Sequence, residues 1–116
     1  MKIAEIIFAL LVAFIHFYFL YLEMVLWTKP KGLKAFGLKK DFAEKTKVMA
    51  ANQGLYNGFL ASGIVWSILS ENATATQFFL LCVVTAGIYG SISLKQRKIL
   101  YIQAIPAIIA FILTLI

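Results

Sequence analysis

The stretch IAEIIFALLVAFIHFYFLYLEMVLW, residues 3–27, decides the fold. Apart from Glu5, His16, Glu23 and two tyrosines it is wholly apolar or aromatic. About 20 such residues carry a helix across a bilayer, so the run predicts a membrane span. Met1-Lys2 ahead of it imitates a secretory signal. The apolar run, however, continues far past the ~7–15 residues of a signal core, and no small-x-small cleavage site follows. It reads as a retained span.

Three more apolar stretches follow, at about residues 48–70, 77–94 and 99–116. The last two are near the short limit for a span and are expected to stand almost upright. Composition agrees. The 116 residues are 62% hydrophobic and 14% charged, against ~45–50% and ~25% in soluble domains. A chain this short cannot bury that much apolar surface in its own core. An ordinary soluble enzyme, a disordered chain and a disulfide scaffold are excluded. The single Cys82 lies in an apolar run and reads as a small core residue. The expected fold is all-α: a polytopic membrane protein, one domain over residues 1–116, built as an antiparallel bundle of four transmembrane helices.

Charge sets the orientation. The net charge is +6, and ten of the eleven cations fall in two loops. Lys29, Lys31, Lys34, Lys39, Lys40, Lys45 and Lys47 lie between the first two stretches; Lys95, Arg97 and Lys98 lie between the last two. Cations beside spans mark cytoplasmic loops, not nucleic-acid binding. Both basic loops are therefore expected in the cytoplasm and both termini outside, in a bacterial plasma (inner) membrane. Within the first loop, about residues 28–47, Pro30 and Gly32 are expected to stop the first helix. Leu33, Phe36, Leu38 and Phe42 alternate with lysines, which places this segment on the lipid headgroups. Asp41 with Glu44 three residues on resembles a capping box opening the second helix.

Polar side chains inside the spans are the candidate site, because such groups are costly in lipid and turn toward the bundle interior. The first span carries His16 and Glu23, seven residues apart and hence on one helix face. The second carries Asn52, Gln53, Tyr56 and Asn57, the third Tyr89 and the fourth Gln103. Counting ~1.5 Å per residue from Leu26 and Val48 puts His16 level with Asn57 and Glu23 level with Asn52. All these residues fall in the cytoplasmic half and predict a polar pocket with His16 at its floor. Gly54, Gly58 and Ser62 form a small-residue stripe, which predicts close packing of the second helix.

No Walker loop, Gly-x-Ser-x-Gly or His-Glu-x-x-His motif occurs, and one His with one Cys makes no zinc or haem site. No cofactor and no metal are expected. Three readings stand. The first is a module that binds or transports a small lipophilic or amphiphilic molecule, using His16, Glu23, Asn52, Gln53, Tyr56, Asn57, Tyr89 and Gln103. The second is a membrane-embedded enzyme acting on a lipid-partitioning electrophile or quinone-like compound. The third is an accessory membrane protein without a small ligand. The expected partners are the lipid bilayer and a homo-oligomer, with no nucleic acid.

Several motifs together resemble one known family. They are Leu22-Glu23-Met24 with Trp27, the run ANQGLYNGFLA at residues 51–61, AGIYG at residues 86–90, and Gln103 with Pro106. The family comprises small bacterial four-helix integral membrane proteins known only as a domain of unknown function. The resemblance covers nearly the whole chain and implies four spans, a bacterial plasma membrane and no established activity. Small multidrug-resistance exporters share the length and a first-helix carboxylate, but their signature is missing. The membrane-associated eicosanoid and glutathione metabolism family has a similar layout of its second helix, without matching glutathione-site residues here.

Overall fold

The computed structural model describes residues 1–116 and contains helices and turns but no strand. We label the helices α1 (Ile3–Met24), α2 (Pro30–Phe36), α3 (Lys40–Leu69), α4 (Ala73–Ser93) and α5 (Arg97–Leu115). Helices α1, α4 and α5 are each long and apolar enough to cross a membrane. Helix α3 is longer still, at 30 residues, but is not apolar enough to qualify. Its first turns hold Asp41, Glu44, Lys45 and Lys47, and Asn52, Gln53 and Asn57 interrupt its middle. The fold is therefore all-helical, with three candidate membrane spans.

The element boundaries depart from the hydropathy reading for local reasons. Helix α1 ends at Met24 rather than near Trp27. Pro30 opens α2 instead of merely stopping α1. The first helical position has no use for the missing N–H, and the fixed φ suits it. Gly37 closes α2 with φ 64°, the left-handed conformation that glycine adopts without Cβ strain. Helix α3 starts at Lys40, so Asp41 lies inside the first turn and pairs with Lys45 at 3.3 Å. The capping box expected from Asp41 and Glu44 does not form. Asn72 caps α4 by accepting the Ala75 N–H at 3.0 Å, which starts that helix four residues before Gln77.

Within α5, residues Leu100–Ala104 form a π turn in which the Ile105 N–H bonds back to the Leu100 carbonyl. Pro106 supplies the cause: it has no N–H, and its ring would strike the carbonyl four residues earlier. The widened turn absorbs both.

The chain divides into two compact units. The first unit comprises Met1–Ile15 and Leu60–Ile116. Its core joins Ala9, Val12 and Ala13 of α1, Ala61 and Ile64 of α3, Leu80 and Val83 of α4, and Ala107 and Ala110 of α5. More than half of these are alanines, which let helix backbones approach closely where lipid gives no hydrophobic drive. At Gly87 one backbone nears another: an added Cβ would meet the Ala104 backbone nitrogen at 2.9 Å. Two polar contacts tie the same unit. Ser67 and Thr76 share a buried hydroxyl hydrogen bond of 2.7 Å, and Gln77 Nε2 donates to Thr114 Oγ1 at 3.1 Å.

The second unit is His16–Phe59. Here the last turns of α1 pack on α3 as far as Phe59, with α2 folded between them in the chain. Leu20 covers Gly58, and Glu23 and Met24 cover Gly54. Gly32 lies directly beneath the Leu26 carbonyl, where no side chain fits. The Trp27 indole N–H donates to Thr46 Oγ1 at 3.0 Å, and its ring packs on Phe36 with centroids 5.0 Å apart.

Candidate functional site: a buried carboxyl–amide pair

The site is set by the periodicity of α1. Within the second unit His16 and Glu23 stand seven residues apart on α1, and both are buried. His16 is 1% exposed and Glu23 6% exposed, on a helix whose remaining surface is covered with Phe, Ile and Leu. The shared face expected from their spacing of seven is the face that the structure buries.

In the second unit the Asn57 amide Nδ2 donates to Glu23 Oε1 at 2.5 Å. This corrects the expected layering. Asn52 does not meet Glu23; its amide bonds the Val48 carbonyl of its own helix at 2.9 Å, and the residue is exposed. Asn57 is the partner of Glu23 instead, about one turn further along α3. Equal depth counted from Val48 requires that apolar boundary to be a helix end. Helix α3 actually extends to Lys40, so that boundary does not fix the register. The Gly54 and Gly58 contacts fix it instead, by letting Leu20, Glu23 and Met24 sit against α3.

His16 stacks edge-on against Phe19, with centroids 5.4 Å apart and planes at 69°. No buried side-chain nitrogen or oxygen in the chain lacks a hydrogen-bond partner. Glu23 is thus held by a neutral amide rather than by a cation. The resolved ion pairs, Lys45–Asp41 and Lys47–Glu44, are exposed i,i+4 and i,i+3 contacts. Gln53 is exposed, as is Tyr56, which meets the Phe59 ring at 5.8 Å.

Tyr89 and Gln103 belong to the first unit. Gln103 is half-buried in the π turn. Tyr89 is exposed on α4, where it borders two open, mostly apolar hollows of about 550 and 560 Å³. Thr85 lines both hollows, and its hydroxyl is spent on the Leu81 carbonyl at 2.8 Å. No group of three or more His, Cys, Asp or Glu side chains stands close enough to hold a metal ion.

Thr46 and Tyr18 make contacts that hydropathy alone does not single out. Thr46 holds Trp27, and the Tyr18 ring lies 5.5 Å from the Lys31 ammonium. Trp27, where the first apolar run meets the basic loop, was the available signal.

Comparison with known proteins places these residues in a wider group. Residues 10–115 match the family described as "Protein of unknown function (DUF1304)". The chain is 32% identical over 116 residues to "Uncharacterized protein YpaA" of Lactococcus lactis subsp. lactis (strain IL1403), covering 97% of each chain. No solved structure matches.

Proposed function

The chain belongs to the DUF1304 family of proteins of unknown function, and from that premise we propose that it binds or transports a small lipophilic or amphiphilic molecule within the membrane. In this reading the 116 residues act as one domain with four spans, α3 being the fourth. Both termini face outward from a bacterial plasma membrane, and the basic loops face the cytoplasm. Helix α3 joins the spans because its polar middle faces protein at Asn57 and its small residues pack inward.

The observation that carries the reading is the Glu23 carboxyl, 6% exposed and paired only with the Asn57 amide. An ionisable group on an apolar helix is costly, and such groups mark ligand or proton pathways. The Asn57 amide fixes the carboxyl orientation while leaving its proton exchangeable. His16 lies on the same face nearer the middle of α1 and is buried there. Asn52, Gln53 and Tyr56 supply polar contacts at the rim of the same unit. Proton exchange at Glu23 would couple ligand occupancy to pH.

The test is equilibrium binding to protein reconstituted in liposomes. The probes are a fluorescent lipophilic cation, a quinone analogue and a fatty-acid analogue. At least one is expected to bind wild type and to lose roughly tenfold in affinity on Glu23→Gln, about the effect of one hydrogen bond made by the acid and not by the amide. Equal binding by wild type, Glu23→Gln and empty liposomes for all three would reject the reading.

A further inference from the structure

The segment Trp27–Lys47 carries seven lysines against two acids. Both acids are taken, Asp41 by Lys45 and Glu44 by Lys47. Lys29, Lys34, Lys39 and Lys40 are exposed and form no ion pair with either acid. Topology alone needs cations in this loop but does not need them on a fixed support. The structure provides one.

Three contacts and a backbone turn hold the support. Gly32 is seated under the Leu26 carbonyl, the Trp27 indole N–H bonds Thr46, Phe36 packs on Trp27, and Gly37 ends α2 in the left-handed conformation. Helix α2 is thereby turned back toward α1, and the Lys31 ammonium reaches the face of Tyr18, two turns before the end of that helix. The basic surface is preorganised and lies beside the aromatic end of a membrane-length helix. Tyr18, Tyr21, Met24 and Val25 are exposed around it, as is Phe42 on α3. Apolar and aromatic side chains next to exposed lysines suit the boundary between acyl chains and headgroups.

We infer that the α2 turn is a binding surface for the phosphate headgroups of anionic bilayer lipids, held by Lys29, Lys34, Lys39 and Lys40 beside the exposed apolar side chains of Met24, Val25 and Phe42. The partner is a lipid and not a soluble anion, because the cations stand beside exposed apolar side chains that a free phosphate leaves in water. Each lysine near an anionic surface strengthens binding severalfold, and salt weakens the effect.

Trp27 reports directly on this surface. The full chain carrying Trp66→Phe, with Trp27 as its one tryptophan, is reconstituted in phosphatidylcholine bilayers. Brominated phosphatidylglycerol or brominated phosphatidylcholine is then titrated in as a short-range quencher. Half-maximal quenching is expected at a mole fraction on the order of tenfold lower for phosphatidylglycerol. The triple variant Lys34→Gln, Lys39→Gln, Lys40→Gln brings the two lipids close to parity. The matching triple Lys→Arg variant keeps the difference, which separates loss of charge from loss of fold. Soluble glycerol phosphate leaves the quenching by phosphatidylglycerol unchanged. Equal quenching by the two lipids in wild type would overturn the inference. So would a difference that survives the glutamine variant, or displacement by glycerol phosphate, which would identify a soluble-anion site. None of these readouts involves Glu23, so the inference and the proposed function fail separately.

Discussion

Asn57 shows how much one amide can decide. It donates to Glu23 across two helices at 2.5 Å, while Asn52, five residues earlier on α3, satisfies itself on the Val48 carbonyl. The two asparagines are alike in composition and unlike in role because they fall on different faces of α3. Removing Asn57 leaves a buried carboxyl short of a partner, whereas converting Glu23 to its amide keeps a hydrogen bond of the same shape. Asn57→Ala is therefore expected to lower stability by about 1 kcal/mol, and Glu23→Gln by clearly less. Thermal melting in detergent reads the difference, and the reverse ranking would refute this assignment of roles. The residue types of the pair were legible in the sequence, since polar groups in apolar helices are few. Their pairing was not, because it depends on where α1 stops and α3 starts, and hydropathy marks neither end.

At the scale of elements, the glycines divide by what lies opposite them. A Cβ at Gly87 would meet the Ala104 backbone nitrogen at 2.9 Å, and a Cβ at Gly32 would collide with the Leu26 carbonyl, so in both places a backbone must move. At Gly58 the obstacle is a Leu20 methyl at 2.5 Å, which can rotate away. Gly32→Ala and Gly87→Ala are thus expected to lower the melting temperature more than Gly58→Ala does, since overpacking typically costs ~1–3 kcal/mol. Gly58→Leu, with three more carbons to place, should still disrupt packing. A Gly32→Ala protein that melts like the parent would contradict the α2 geometry.

The small-residue stripe of α3 was legible as Gly54 and Gly58. Its continuation was not: Ala61 is buried and Ser62 exposed, because the helical repeat of 3.6 alternates steps of four and three. The long helices α1, α4 and α5 were visible as apolar runs. Helix α2 was hidden in the lysine-rich segment, since seven residues give no reliable periodicity and Pro30 reads equally as a stop or a start.

For the whole molecule, the reading rests on surface as much as on core. Phe14, Phe78 and Ile7 are each more than half exposed, on helices long enough to span. Leaving such side chains in water would cost roughly 1.5–3 kcal/mol each, a cost that lipid removes. The ten loop cations then set the proposed orientation. With Cys82→Ala as background, Lys39→Cys is expected to resist a membrane-impermeant maleimide in intact cells and to react after permeabilisation. Labelling in intact cells would reverse the orientation.

The proposed function requires Glu23 to be a carboxyl sheltered inside the membrane and still open to proton exchange. Carbodiimide mapping of the protein in liposomes tests it most directly. A lipophilic carbodiimide adds to a protonated carboxyl from within the bilayer, whereas a water-soluble, charged one reaches only exposed acids. Mass spectrometry is expected to find the lipophilic reagent on Glu23 and the water-soluble reagent on Asp41 and Glu44, both exposed on α3. Modification of Glu23 by the water-soluble reagent as readily as Asp41 and Glu44, or no modification of Glu23 by the lipophilic one, would contradict the account.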